Sequence, residues 1–115
     1  MANPVRNISE TIDVEIASGQ SKSDGFNLVG RVPTALYMPA TFTGTSITFE
    51  ASWDGVTFVP LHAVTGGVYS VAVGASRCLA LNHTNFYGVK FCKVVSGSTE
   101  GGAREILMAL GTDHE

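Results

Sequence analysis

The sequence predicts an all-β fold, a two-sheet antiparallel sandwich of jelly-roll type with about eight strands. Three observations predict it. Apolar and polar residues alternate with period two through most of the chain. Clusters of Gly, Pro, Asn, Asp and Ser break that alternation every 8–12 residues or so, roughly the spacing of strand-connecting turns. No segment holds a helical period long enough to stand as an independent helix.

The elements follow in order. In Ile12-Asp13-Val14-Glu15-Ile16 the aliphatic residues share one face and the acids the other. Ser18 to Gly25 is a polar loop rich in turn formers. Phe26 to Val32 reads as a second strand ended by Pro33, and Leu36-Tyr37-Met38 as a short segment between Pro33 and Pro39, at an edge or a sheet crossing. The clearest unit is Ser46 to Phe58, where Ile47, Phe49, Ala51 and Trp53 alternate with Ser46, Thr48, Glu50 and Ser52. Asp54-Gly55 is expected to make a two-residue type I′ turn, with Val56 to Val59 returning until Pro60.

Gly66-Gly67 is another turn, followed by the alternation of Tyr69, Val71 and Val73. Leu79 and Leu81 form a short strand end. Asn82 to Phe86 reads as a tight polar turn or a single helical turn. Gly88 to Val95 is a strand, and Ser96 to Gly102 a flexible loop. Arg104 to Leu110 has some helix propensity but is too short for an independent helix, and it follows a run of strands, so it is read as a strand. The expected core contains Ile47, Phe49, Trp53, Phe58, Tyr69, Val71, Val89 and Phe91.

One domain accounts for 115 residues. A chain of this size buries roughly two-thirds of the surface its unfolded form exposes. The expected division is an N-terminal arm over 1–10, a sandwich over 11–111 and a tail over 112–115, with no internal repeat. Met1 to Asn7 lacks the apolar stretch of a signal peptide, and no apolar run approaches a membrane span. Synthesis in a reducing cytoplasm is therefore expected. There Cys78 and Cys92, both in strand-like segments, are read as free, small buried hydrophobes.

Charge speaks against nucleic acid as a partner. The net charge is −3, so no global basic field exists. Charged residues make up 15% of the chain, against a usual share of about 25%, which fits a surface partly covered in use or one rich in Ser, Thr and Gly. The charges are segregated. Glu10, Asp13, Glu15 and Asp24 lie in the N-terminal third, whereas the acid-free stretch between Asp54 and Glu100 carries Arg77, Lys90 and Lys93. Such poles steer docking contacts.

The residues give no reason to expect catalysis or a cofactor. His62, His83 and His114, with Cys78 and Cys92, show no metal-ligand spacing. Nothing local activates either thiol. Asp13 and Glu15 occupy the ordinary outward face of an amphipathic strand. Neither Gly66-Gly67 nor Gly101-Gly102 precedes a helix that would aim N–H groups at a phosphate. Ser52 to Phe58 compares with the Asp-box of sialidase-type propellers but is one residue short between Asp and Gly. A single hairpin also makes no propeller.

From Leu28 to Leu110 the order of blocks resembles small virion proteins of tailed bacteriophages. The blocks are Ala35 to Ala40, Ile47 to Leu61, Val73 to Arg77, Leu79 to Leu81 and Phe86 to Phe91. Within that group the likeness is greatest to capsid decoration, or cement, proteins. The resemblance implies a compact β domain that forms a homotrimer on the capsid exterior and binds the phage major capsid protein between capsomers. It brings no catalytic residue. The arm would reach over the shell, so Asn3, Val5, Arg6 and Ile8, with Arg77, Lys90 and Lys93, are the candidate assembly contacts. The alternatives are a carbohydrate-binding or adhesin module of a tail fibre, which exposed aromatics in a groove would favour, and a neck or tail accessory protein.

Overall fold

The computed structural model describes residues 10–112. These residues form β1 (Glu10–Ile16), β2 (Phe26–Asn27), β3 (Arg31–Tyr37), β4 (Ser46–Ser52), β5 (Val59–Pro60), β6 (Ser70–Ala72) and β7 (Cys78–Ala80). A single 3-10 turn (His83–Phe86) then leads to β8 (Phe91–Ser96) and β9 (Arg104–Thr112). The 3-10 turn sits where the polar Asn82–Phe86 motif predicts it. Asn82 caps it by accepting from the Thr84 N–H.

Two antiparallel sheets face each other. One has the order β1-β9-β3-β7, the other β2-β8-β4-β5, with β6 also on β4. β8 occupies one side of β4, so β5 and β6 share the other. Glu50 pairs with Pro60 and Thr48 with Ser70. They are one edge strand interrupted by an excursion that closes through a His62–Val68 bridge. With that pair counted as one position, the chain passes from sheet to sheet as a jelly roll does.

Alternation explains what fills the space between the sheets. Val14 and Ile16 of β1, Leu36 of β3, Ile47 and Phe49 of β4, Cys92 and Val94 of β8, and Ile106, Met108 and Leu110 of β9 all point inward and are buried. Phe49 stacks on Tyr69 at 5.6 Å between centroids and meets the edge of Phe86 at 5.1 Å. Tyr69, Val71 and Val89 pack, partly buried, against this core.

Several expectations are corrected. Trp53 is 65% exposed. Its inward phase continues from Phe49 and Ala51, but the strand ends at Ser52, where the facing sheet no longer covers it. Phe58 and Phe91 are only partly buried, and neither belongs to the core cluster. In β8 the inward phase belongs to Cys92 and Val94, which puts Phe91 on the outer face. The 53–58 loop folds over that face. A Cβ on Gly55 would stand 3.5 Å from the Phe91 ring, and one on Gly25 would meet Phe58 at 2.7 Å.

Asp54-Gly55 does not form a type I′ turn. Gly55 has a φ of +80°, but Asp54 does not share the positive φ that such a turn needs at both positions. Pro33 does not end a strand either. It lies inside β3, beside the register shift between Pro33 and Ala35, where a residue without an N–H is tolerated. The turn instead falls at Val29-Gly30, with Gly30 at φ +80°.

The 96–102 loop is pinned rather than flexible. Its Glu100 is fully buried. The Glu100 carboxylate accepts from the Thr43 N–H, the Thr43 hydroxyl, the Gly44 N–H and the Ser96 hydroxyl, and pairs with Arg104 Nε at 2.8 Å. Its backbone bonds Gly19 and Gln20. One side chain thus ties the β3–β4 loop to β8 and β9, while its main chain holds the β1–β2 loop. A buried charge persists only when paired in this way. This end of the sandwich is closed.

Both cysteines are free, but only Cys92 is buried, since Cys78 lies exposed on the edge strand β7. Burial pushes the Cys92 thiol up to about 12. Alkylation without reductant is expected to label Cys78 in the native protein and Cys92 only after denaturation, read by mass. Two protected thiols after denaturation would mean a disulfide.

Candidate docking surface

The other end of the sandwich is open and apolar. It is built by the ends of β4 and β5, the turn after Phe86 and the β2–β3 turn. Ala51, Trp53, Val59, Gly88 and Val89 line a notch of about 170 Å³ in which Ser52 is the one polar side chain. A second cleft of about 310 Å³ adjoins it through the shared Gly88 and Val89. Leu28, Val29, Val32, Phe86 and Tyr87 wall that cleft, and Arg31 and Lys90 stand on its rim. Val29, Val56, Val59 and Tyr87 are exposed along with Trp53. Exposed large apolar side chains gathered at one end of the domain make this a candidate contact surface.

Local chemistry holds this end in shape. Ser52 Oγ accepts from the Asp54 and Gly55 N–H groups and donates to Asp54 Oδ1 at 2.8 Å. Asp54 Oδ1 in turn accepts from the Val56 and Thr57 N–H groups, each at 2.9 Å. These bonds, that from Thr57 first, hold the Asp54 carboxyl below its ordinary value. The sequence Ser-x-Asp-Gly therefore makes a self-capped loop that presents Trp53. Across the cleft, Asn27 Oδ1 accepts from the Val29 N–H at 2.8 Å, and Arg31 reaches Glu10 at 2.8 Å and the Asn27 carbonyl. Tyr87 meets His83 edge-on at 5.8 Å.

The sequence-based contact residues do not form one patch. Asn3, Val5, Arg6 and Ile8 lie outside the described residues. Lys90 is on the cleft rim. Lys93 lies on the outer face of β8, 4.6 Å over the Phe58 ring. Arg77 is near the closed end, where its carbonyl accepts from the Met38 N–H and its guanidinium lies along Gly74. Sequence reasoning missed Val29, Val59 and Tyr87, and it placed Trp53 inside. The signal it held was the Ser52–Asp54–Gly55 spacing, which marks where β4 stops.

Among the described residues, no group of three or more His, Cys, Asp or Glu could hold a metal ion. No helix there is long and apolar enough to cross a membrane.

No family model and no curated protein sequence matches the chain. Solved structures do. The SPBc2 prophage-derived protein YomS superposes with a TM-score of 0.55 at 11% identity, over 96% of this chain and all of that one. At that identity the likeness establishes the shared fold. A chain from the structure described as "Bacillus endospore appendages form a novel family of disulfide-linked pili" gives a TM-score of 0.45 at 12% identity, over 97% of this chain and 94% of that one. CBM32-1 from a family 31 glycoside hydrolase of Clostridium perfringens gives 0.41 at 13% identity, over 88% and 76%. These last two are too distant to carry an argument.

Proposed function

We propose that the protein is a structural component of a bacteriophage virion, and specifically a capsid decoration protein that trimerises and binds the shell between capsomers. The observation that carries this reading is the open apolar end, which lies beside Glu10, where the N-terminal arm enters the domain. A fold shared with a prophage-derived protein is consistent with it. One small domain offers little area for tight docking. Three linked copies would gain about 10²–10⁴ in avidity where the geometry lets all engage together.

Native mass spectrometry followed by co-sedimentation with undecorated capsids tests the reading. A trimer that pellets with capsids is expected. Deleting residues 1–9 is expected to weaken attachment and leave the fold intact, because that segment carries little of the alternating core pattern. Trp53→Ala is expected to do the same, with thermal stability within about 0.5 kcal/mol of the parent, as for an exposed side chain. A monomer that ignores capsids defeats the proposal.

One observation favours a second reading, a glycan-binding module of a tail fibre: Trp53 stands exposed beside a groove. Sugar hydroxyls, however, call for several converging polar groups. The notch around Trp53 offers only Ser52, whose hydroxyl is already bonded within the loop. A glycan array that lights up with the monomer would promote this reading.

A further inference from the structure

We infer that copies of the chain join edge to edge, β1 of one copy pairing antiparallel with β7 of the next, so that the β1-β9-β3-β7 sheet runs on from copy to copy. The pairing stands apart from the capsid reading. Its closure as a ring of three rests on the trimer proposed above.

Both edges are open. Among the described residues, β1 and β7 end this sheet, and the outer side of β1 meets no partner before the Ile16–Ser23 bridge. An edge strand without proline, lysine or a bulge is a template for another strand, and Glu10–Ile16 has none of the three. On the opposite edge, the Met38 N–H donates to the Arg77 carbonyl and the Leu81 N–H to the Thr34 carbonyl, so residues 77–81 lie along β3. The N–H and C=O groups of Cys78 and Ala80 therefore face away from β3, toward the free side.

Direction and phase agree. β1 and β3 run one way, β9 and β7 the other, so a continued sheet sets β7 antiparallel to β1. Ile12 and Leu79 both pack on the core side. Pairing them aligns residues 10–14 with 81–77 and puts Asp13 opposite Cys78 on the outer face.

Charge selects the partner. Asp13, Glu15 and Asp24 line a groove of about 410 Å³ beside β1, and its one cation, Lys22, is held by Glu50. Arg77 is exposed and has no carboxylate partner among the described residues. In this register it arrives opposite Val14, another residue of the groove. Pairing β1 with a second β1 over its full length would instead set Asp13 against Asp13, and like charges directly opposite are destabilising. A head-to-tail contact of this kind closes as a ring or runs on as a filament.

Cysteine cross-linking of the full-length chain tests the inference. Cys92 is buried, so Cys78 is the reactive native thiol. Asp13 is exposed, and Asp13→Cys oxidised with copper–phenanthroline is expected to give a ladder ending at three copies on a non-reducing gel. The parent, and Asp13→Cys combined with Cys78→Ser, are expected to give none. Arg77→Glu is expected to weaken association about tenfold in equilibrium sedimentation. Absence of a ladder from Asp13→Cys would overturn the inference, and a trimer seen by native mass spectrometry in that case would leave the trimer reading standing on another face. A ladder that survives Cys78→Ser would mean β1 against β1 and overturn it as well. A ladder running past three copies would support the pairing and overturn the trimer.

Discussion

Phe49→Ala is expected to cost about 3–5 kcal/mol, the usual cost of emptying a fully buried phenylalanine site. Phe49 is 1% exposed and sits at the meeting point of Tyr69 and Phe86. Truncation removes the burial of one ring and breaks two aromatic contacts, each worth about 0.5–1.5 kcal/mol beyond its area. The neighbours cannot close the gap easily. Phe86 is fixed by its 3-10 turn, and the Tyr69 hydroxyl is held by accepting the Asn82 N–H at 3.2 Å. Domains of this size are stable by about 5–15 kcal/mol, so the variant should lose a large part of the total. Urea unfolding is the measurement, with the midpoint falling and the slope unchanged. A midpoint equal to that of the parent would mean that β4 is assigned the wrong face.

Glu100→Ala is expected to be comparably severe, at about 3–5 kcal/mol, because it breaks a buried pair by removing one partner. Arg104 would be left without its carboxylate, and the N–H groups of Thr43 and Gly44 without their acceptor. The pH dependence has a definite sign. Burial by itself pushes the Glu100 carboxyl up. The Arg104 guanidinium and the hydrogen bonds from Thr43 and Ser96 outweigh burial and hold it below the ordinary 4.5. A depressed value in the folded state means that the unfolded chain binds the proton more readily. The stabilisation is therefore complete above about pH 4.5 and is lost as the pH falls through the folded value. Thermal unfolding across this window should show the parent losing stability, and Glu100→Gln should flatten that loss. A parent curve identical in shape to that of Glu100→Gln would sink the assignment.

Periodicity made the sandwich legible because each strand with one buried face writes its phase into the sequence. Ile47 and Phe49, and the shared face of Val14 and Ile16, were recoverable in this way. The reading of Arg104 to Leu110 as a strand holds, and there the helix propensity of the segment lost to pairing with β1 and β3. Phase does not say where the facing sheet stops, so Trp53 kept the right parity and the wrong environment. Nor does it separate two apolar faces. Phe91 lies against Gly55 of the folded-over 53–58 loop, and Phe58 at the end of that loop lies against Gly25 and Lys93, which no local pattern announces.

Glu100 was illegible for a different reason. A Ser/Thr/Gly-rich stretch with one acid reads as a solvated loop, and the partners that bury it come from positions near Thr43 and Ser96. Little of the candidate docking surface was legible. The low charge content fitted a covered surface and a Ser-, Thr- and Gly-rich one equally well. The apolar residues that form the surface come from three turns and become neighbours only in the folded chain.

The contrast between the two ends of the sandwich has a mechanical consequence. Glu10 faces Leu110 across β1 and β9, so a pull applied between residues 10 and 112 acts at the open end. Such a load does not shear the two strands past each other. It opens them like a zip, one residue pair at a time, from Glu10–Leu110 toward Ile16–Arg104. The first pairs should part at low force. The opening then arrives at Arg104, where the carboxylate of Glu100 grips the guanidinium and anchors the surrounding loops. A stretched molecule should therefore yield in two stages, with the first strand peeling away while the locked end stays folded.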